Sequence, residues 1–293
     1  HRSGCYCLNL YGGWPISGLV TATRDALYRV TRDFMARDYA QDVVDLNELI
    51  RKNRADSANL TAEVPPIPFT GDPWKKKKGD CVLFIGINPK FQTKVPPMNH
   101  PEFGPAISMI NRFHRGDENS FVQYIDSRKN YFSSDEKYGT HFTAPEKGFR
   151  DNWYSVENPW DCHVQSMDCL PWFSIDAKTI DIDRVADWYL ENSAMIQYHE
   201  IIMNVIDLIE PNWIHLNGKM PQTVFESNFA EYHFEKLEGI NPQKGIRVGH
   251  CEIGNWELPV LSHNFAGWPM APNGAADWRL MAKLWDNWLR LQE

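Results

Sequence analysis

One short stretch, residues 82–89 (Val-Leu-Phe-Ile-Gly-Ile-Asn-Pro), constrains the fold more than any other. An apolar run in which polar side chains do not alternate is typical of a strand buried on both faces of a parallel sheet. Pro89 cannot donate a ladder hydrogen bond, so the strand should end there. The stretch therefore predicts a central strand that carries Asn88 to its carboxyl end, the edge where open α/β sheets bind ligands. A plain strand followed by a proline turn is the alternative.

The rest of the chain alternates strand-like and helix-like patterns. Three more apolar runs predict strands at 163–167, 213–219 and 258–262. Apolar residues at three- and four-residue spacing predict helices at 18–53 (two helices, broken near Asp38), 106–113, 119–127, 182–209, 221–229 and 275–291. Alternation of this kind predicts an α/β fold, with a central parallel sheet of about four strands and helices on both faces, plus an N-terminal helical extension. We expect residues 1–80 to form that extension and a proline-rich linker, and residues 81–293 to form the α/β domain.

Charge and composition limit the possible partners. Thirty basic residues against 38 acidic residues give a formal charge of −8, which argues against non-specific coating of nucleic acid but permits a local basic groove. The four lysines at 75–78 are either a solvated entry to the strand or a phosphate contact.

Neither a membrane span nor a disulfide framework is expected. No stretch approaches the roughly 20 apolar residues that cross a bilayer. The six cysteines lack the spacing of a disulfide framework, so we expect reduced thiols and a cytoplasmic location, or a nuclear one in a eukaryote. The pair Cys5 and Cys7 has no second pair to complete a zinc site.

All four predicted strands end on polar or glycine-rich segments. These segments begin at Asn88, Asp168, Asn217 and His263. Because the carboxyl ends of parallel strands meet at one edge, their side chains should gather around one pocket.

The same segments resemble motifs of the uracil-DNA glycosylase superfamily. Gly86-Ile87-Asn88-Pro89 is similar to the Gly-Ile-Asn-Pro-Gly motif of the mismatch-specific branch, with Lys90 in place of the last glycine. In the single-strand-selective branch, Glu102-Phe103-Gly104 partly matches Pro-Phe-Gly, Asp168-x-x-Pro171 keeps the spacing of Asn-x-x-Pro, and Ser262-His263-Asn264-Phe265 stands where His-Pro-Ser is found. The resemblance covers residues 81–290 and leaves the first 80 outside.

This resemblance implies roles for individual residues. Asn88 would orient the attacking water, and His263 would donate to the base oxygen and stabilise the leaving group, although a histidine after a strand is also a common structural hydrogen-bonding residue. Phe103, or else Phe91, would stack on a flipped base unless it packs on the sheet edge. The remaining residues form two groups, a base pocket of Gly86, Ile87, Pro89 and Asp168, and a DNA contact of Lys90, Gly218, Lys219, Asn264, Phe265, Gly267 and Trp268.

Asp168 is the main departure from the family pattern. The family asparagine offers a base edge both a donor and an acceptor, whereas an ionised aspartate only accepts. Facing uracil, Asp168 would accept from N3–H but repel O4. Three explanations remain open: a different base, a protonated Asp168 in a dry pocket, or a side chain that points elsewhere.

Two functions follow from the resemblance. The first is a monomeric DNA glycosylase that needs no metal or cofactor and hydrolyses the N-glycosidic bond of a flipped, uracil-like or otherwise damaged base. The second is a protein of the same fold that binds nucleic acid or a nucleotide without cleaving it. A hydrolase of another class has no support, because the chain lacks a Gly-x-Ser-x-Gly elbow, a His-Glu-x-x-His motif and a Walker phosphate loop.

Overall fold

A computed structural model describes residues 19–53, 59–91, 94–133, 142, 159–265, 270–272 and 274–292. The prediction that residues 1–17 are irregular therefore lies outside the described residues, as do Cys5 and Cys7.

The sheet contains the four predicted parallel strands. The strands are β1 (Val82–Gly86), β2 (Val164–Asp168), β3 (Trp213–Asn217), β4 (Glu235–Lys236), β5 (Arg247–Ile253) and β6 (Trp256–His263), arranged in the order β2-β1-β3-β6-β5-β4. β2, β1, β3 and β6 are parallel neighbours, which confirms the predicted α/β class. β5 and β4 extend the sheet beyond β6 as antiparallel strands.

The two antiparallel strands were missed in the sequence, although a signal for them exists. β5 and β6 form a hairpin in which Ile253 pairs with Trp256, so the loop is the dipeptide Gly254-Asn255. Gly254 has φ of 63°, the left-handed region that tight two-residue hairpin loops require. The strand predicted at 258–262 is therefore one arm of a longer hairpin.

The helices follow the predicted pattern with one correction, and one short helix at 159–162 was not predicted. They are α1 (Leu19–Met35), α2 (Tyr39–Ile50), α3 (Phe103–Phe113), α4 (Glu118–Lys129), α5 (Pro159–Cys162), α6 (Ile182–Trp188), α7 (Ser193–Ile209), α8 (Lys219–Asn228) and α9 (Gly274–Gln292). The break near Asp38 is confirmed, since its side chain accepts from the Gln41 N–H and caps α2. The single helix predicted at 182–209 is wrong, because Asn192 caps a new helix, α7, by accepting from the N–H groups of Ala194 and Met195.

Helices cover both faces of the sheet, as predicted. On β1, Leu83 and Ile85 belong to a core cluster that also contains apolar residues of α1, α2 and α7. Val82 and Phe84 belong to a second cluster with the tryptophans of α9. The N-terminal helices therefore pack into the same core as the sheet, and α1 lies against α7.

The lysine run before β1 serves the fold. Lys75, Lys77 and Lys78 form ion pairs with Asp72, Asp80 and Glu210. Lys76 is buried, and its Nζ donates to the main-chain oxygens of Trp160 and Asp161 at 3.1 and 2.7 Å. Burial lowers the pKa of Lys76. The interpretation of the whole run as solvated or phosphate-binding is thus wrong for Lys76.

Replacing Lys76 by methionine should destabilise the protein. The apolar stem would remain, but the two carbonyls of α5 would lose their donor, which costs about 1–3 kcal/mol for buried groups. The exposed neighbour Lys77 provides the matched control, and Lys77→Met should change the free energy of unfolding by less than about 0.5 kcal/mol. Urea unfolding curves measure both, and equal effects would contradict the assignment.

Candidate functional site at the carboxyl edge of the sheet

The predicted site residues of the four parallel strands lie along one edge. Gly86 is in register with Asp168, and Asn217 is in register with His263. Since β1 and β3 lie between β2 and β6, the main chains of Asp168 and His263 are roughly 14 Å apart, three strand spacings. The distance between Asp168 and His263 is therefore larger than one nucleobase. Asn88 is closer to Asp168, because it follows β1, the strand next to β2.

Asn88 is held by its amide nitrogen. Nδ2 donates to the main-chain oxygens of Trp172 and Pro89 at 3.1 and 3.2 Å. The chain after β2 runs beside the chain after β1, because the N–H of Ser174 donates to the Pro89 oxygen and Lys90 forms a bridge with Ser174. β1 itself ends at Gly86, before Pro89, and the two segments stay side by side beyond it. The two hydrogen bonds donated by Nδ2 fix the amide plane of the half-buried Asn88 side chain. They do not involve Oδ1, which can therefore accept a hydrogen bond.

Asp168 lies directly over Gly86. A Cβ at position 86 would overlap Oδ1 of Asp168, so glycine is required for the carboxyl to occupy this place. Tyr198 fixes the backbone, since its hydroxyl donates to the Asp168 main-chain oxygen at 2.6 Å. Among the residues that the structure describes, the carboxyl group has no hydrogen-bond or ion-pair partner. Burial without compensation raises the pKa of Asp168 to about 7.

His263 is fully buried and forms a histidine pair. Its Nε2 lies 2.7 Å from Nε2 of His215, and its Nδ1 lies 2.6 Å from the Asn264 main-chain oxygen. A carbonyl only accepts, so Nδ1 of His263 carries the proton and Nε2 accepts from His215. Burial lowers the pKa of His263 to about 4, and it also lowers the pKa of His215 well below its usual value, so both rings are neutral at pH 7. Both nitrogens of His263 are therefore engaged inside the protein in this structure.

The histidine pair should make the protein sensitive to acid. His263 is protonated near pH 6.5 in the unfolded chain and near 4 in the folded chain, and the pKa of His215 is lowered in the same direction. Unfolding therefore takes up protons in this window, and stability falls as the pH decreases. His263 alone accounts for at most about 3 kcal/mol of this loss. Urea midpoints between pH 7 and 4.5 should decrease less steeply in His215→Phe than in the wild type.

A matched control separates this pair from other titrating groups. His233, whose side chain is 98% exposed, should leave the pH profile unchanged when it is replaced by phenylalanine. Asp168 titrates in the same pH window, and its effect on stability has the opposite sign. Because the wild type, His215→Phe and His233→Phe all contain Asp168, its effect cancels in the comparison. Parallel profiles for wild type and His215→Phe would contradict the role of the pair.

Ile87, Gly218 and Phe265 meet between the ends of β1, β3 and β6. A Cβ on Gly218, which has φ of 122°, would lie 2.9 Å from Ile87 Cδ1 and 3.7 Å from Phe265 Cβ. The Gly218 N–H donates to the main-chain oxygen of His263, so it is not available to a phosphate. Lys219 is exposed at the first residue of α8.

The last predicted segment is only partly described. The Asn264 amide nitrogen donates to the main-chain oxygens of Gln243 and Met270, which ties this residue to a neighbouring turn. Gly267 and Trp268 lie outside the described residues.

Phe103 packs in a small apolar cluster with Val64, Ile107 and Phe173. Its ring is 6% exposed, stacks on His100 with centroids 4.2 Å apart, and contacts the edge of Phe173 at 5.3 Å. Phe91, the alternative stacking residue, is half-buried and stacks on Phe103 at 5.8 Å. Of the two, Phe91 is the more exposed to a ligand at the edge.

The structure adds two residues to the site that the sequence did not indicate. His215 and Tyr198 hold His263 and Asp168, respectively, from β3 and α7. Both occupy buried positions inside regular elements, where the pattern predicts packing and gives no sign of a polar partner.

The fold and the edge together define an α/β protein with polar side chains at the carboxyl ends of its parallel strands. In the described part of the chain, no three histidine, cysteine, aspartate or glutamate side chains form a metal-ligand set. None of the described helices is long and apolar enough to cross a membrane. No protein-family model matches the chain, and no curated protein sequence matches it.

Proposed function

We propose that the carboxyl edge of the sheet binds an extruded nucleobase of DNA and hydrolyses its N-glycosidic bond, as a glycosylase of the uracil-DNA type. The observation that carries this proposal is the Asp168 carboxyl, which is half-buried over Gly86 with no partner in the described structure, beside an Asn88 amide of fixed orientation. A desolvated polar group without a partner costs stability, and a ligand that pairs with it recovers that cost.

Asn88 supports the hydrolytic step by geometry. With Nδ2 bonded to two carbonyls, Oδ1 is the atom that can accept a hydrogen bond from water. An amide is too weak a base to remove a proton, so its contribution is orientation of the water toward C1′. The C1′–N bond breaks with its electron pair leaving on the base, the water oxygen bonds to C1′, and its proton passes to solvent.

Asp168 supports recognition of a base with adjacent donor and acceptor atoms. In the protonated form its hydroxyl donates and its carbonyl oxygen accepts, the same pair that an asparagine offers. Uracil presents O4 and N3–H side by side, which is the complementary pair. The raised pKa of Asp168 makes this form available near neutral pH.

The histidine pair favours a second candidate, a protein that binds a base without cleaving it. With Nε2 of His263 accepting from His215 and Nδ1 donating to Asn264, His263 offers no donor to a leaving base in this arrangement. Its role as a catalytic residue stays a prediction that requires the pair to separate.

Incubation with labelled oligonucleotides tests the proposal. Single-stranded and duplex substrates with uracil, hypoxanthine, xanthine or an oxidised pyrimidine are treated with the protein, then with alkali, and strand breaks at abasic sites are counted. We expect release of uracil at or below pH 7. Anisotropy with the same oligonucleotides measures binding in parallel.

The two candidates give different results. Base release that Asn88→Ala abolishes supports the glycosylase. The second candidate is supported if the protein binds uracil-containing strands in preference to matched strands without uracil and releases no base. Absence of both binding and release overturns both.

A further inference from the structure

The N-terminal extension holds the segment that follows β2. Residues 61–67 lie beside residues 171–173, and two carbonyls of the second segment accept from main-chain N–H groups of the first, each at 2.9 Å. Between those two carbonyls, the Trp172 main-chain oxygen accepts from Nδ2 of Asn88 at 3.1 Å. The carbonyl that fixes the Asn88 amide therefore belongs to a segment that the extension holds in place.

The Trp172 ring is placed by packing. Trp172 is 1% exposed, and among the described residues its indole N–H has no hydrogen-bond partner. The ring of Phe34, from α1, packs against the indole edge-on, with centroids 5.7 Å apart. Since no hydrogen bond directs the indole in the described structure, the contact with Phe34 is what orients it.

The same phenylalanine ring supports the neighbour of Asp168. The Phe34 ring also lies 5.7 Å from the ring of Tyr198, which is fully buried on α7. The Tyr198 hydroxyl donates to the Asp168 main-chain oxygen at 2.6 Å. One side chain of the extension thus contacts both residues that hold the site.

The end of α1 that carries Phe34 is clamped. Nε2 of His114 donates to the Met35 main-chain oxygen at 2.8 Å, which ties α1 to the end of α3. Just beyond α1, Nη1 of Arg37 donates to Oε1 of Gln197 on α7 at 3.1 Å. The Phe34 ring is therefore presented to Trp172 and Tyr198 from a fixed backbone.

We propose that the N-terminal extension is a working part of the site at the carboxyl edge, with Phe34 as its positioning residue. Phe34 acts on the Asn88 amide through Trp172, and it acts on the Asp168 carboxyl through Tyr198. The inference rests on the proposed function for the reaction that is positioned, but the contacts can be tested without any reaction. A displacement of about 1 Å in a reacting site can cost about 100-fold in rate, so support of this kind matters for catalysis.

A matched pair of variants separates positioning from stability. Phe34→Leu and Phe121→Leu each remove one buried aromatic ring, since Phe34 is 2% and Phe121 is 0% exposed. The Phe121 ring contacts Tyr28 and Phe113, and neither of these holds the site. Urea unfolding measures the stability that each variant loses. Phe34→Met, which fills more of the space, takes the place of Phe34→Leu if the leucine variant does not fold.

The first measurement is hydrogen exchange of the Asn88 side-chain amide, followed by NMR in the full chain with isotope-labelled asparagine. Asn88→Ala identifies the signal by its loss. The amide protons should exchange about tenfold faster in Phe34→Leu than in the wild type, because the Trp172 carbonyl is held less firmly. Phe121→Leu should exchange at the wild-type rate.

The second measurement is an NMR titration of the Asp168 carboxyl, assigned with Asp168→Asn. Burial raises the pKa values of the neighbouring Cys169 thiol and Tyr198 hydroxyl, so Asp168 is the group of this cluster that titrates near pH 7. In Phe34→Leu the pKa of Asp168 should shift down toward its usual value, because water reaches a carboxyl that is held less firmly. Tyr198→Phe should cause this shift without a change in Asn88 exchange.

Single-turnover release of uracil measures the consequence for the reaction. The rate should decrease about tenfold in Phe34→Leu, while binding of the oligonucleotide changes little. Phe121→Leu should release the base at the wild-type rate.

The outcomes separate this inference from the proposed function. Equal Asn88 exchange and equal Asp168 titration in Phe34→Leu and Phe121→Leu overturn the positioning role. A wild type that releases no base overturns the glycosylase proposal, and the two NMR measurements still decide whether Phe34 positions the site. Changed NMR behaviour with an unchanged rate of release overturns the role of Phe34 in the reaction.

Discussion

Asn88→Ala should lower the rate of base release at least about 100-fold, the scale on which orientation and single polar contacts contribute to catalysis. The substitution removes the acceptor that would hold the attacking water, and it also frees the carbonyls of Trp172 and Pro89. Single-turnover assays with saturating protein measure the rate of the chemical step. Binding of the same oligonucleotide should change much less, because the role proposed for Asn88 is to hold the attacking water and not the base.

One control variant and one stability measurement make this result interpretable. Asn111→Ala removes an exposed asparagine from α3 and should leave both rate and stability unchanged. Asn88→Ala should cost about 1–2 kcal/mol of stability for its two hydrogen bonds, so urea unfolding must show that the variant is folded under assay conditions. A folded Asn88→Ala protein that releases the base at the wild-type rate would contradict the role of Asn88.

Release of uracil should decrease about tenfold for each pH unit above about 7. Only the protonated form of Asp168 offers a donor to O4 of uracil, and the fraction protonated falls tenfold per unit once the pH exceeds the pKa of about 7. In Asp168→Asn the amide offers the same donor and acceptor at every pH, so this decrease should disappear. Rates measured from pH 5.5 to 9 with both proteins test the assignment.

The same substitution should also change the stability in a pH-dependent manner. An unfolded aspartate has a pKa near 4, so between about pH 4 and 7 the folded protein holds a proton that the unfolded chain has lost, and stability falls as the pH rises. Asp168→Asn should therefore stabilise the protein at pH 8 and have little effect at pH 4. The gain is at most about 4 kcal/mol, and smaller because Asp168 keeps some contact with solvent. An equal effect of the substitution at both pH values would contradict a carboxyl that is neutral in the folded protein near pH 7.

Much of the fold could be predicted from the sequence, because strands and helices are indicated by local patterns of apolar residues. The apolar run at 82–87 and three similar runs predicted the four parallel strands, and periodic apolar residues predicted most of the helices. The split between α6 and α7 was missed because the apolar spacing continues across it, whereas the deciding feature is one cap at Asn192. The antiparallel strands were missed because β4 has only two residues and β5 lies in a stretch of mixed polarity.

The candidate site was accessible only in part. Chain order and strand polarity placed Asn88, Asp168 and His263 at one edge, which the strand order supports. The orientation of each side chain could not be predicted from the sequence. The inward position of His263 depends on His215, which is 48 residues away, and the burial of Phe103 depends on His100 and Phe173.

The sequence by itself determined the class of fold and which residues reach the carboxyl edge, because the hydrophobic period and the parallel crossovers fix both. Only the tertiary structure decided which of those side chains are still available to a ligand. Hydrogen bonds and burial arise from segments far apart in the chain, and they leave the Asp168 carboxyl without a partner in the described structure while they engage both nitrogens of His263.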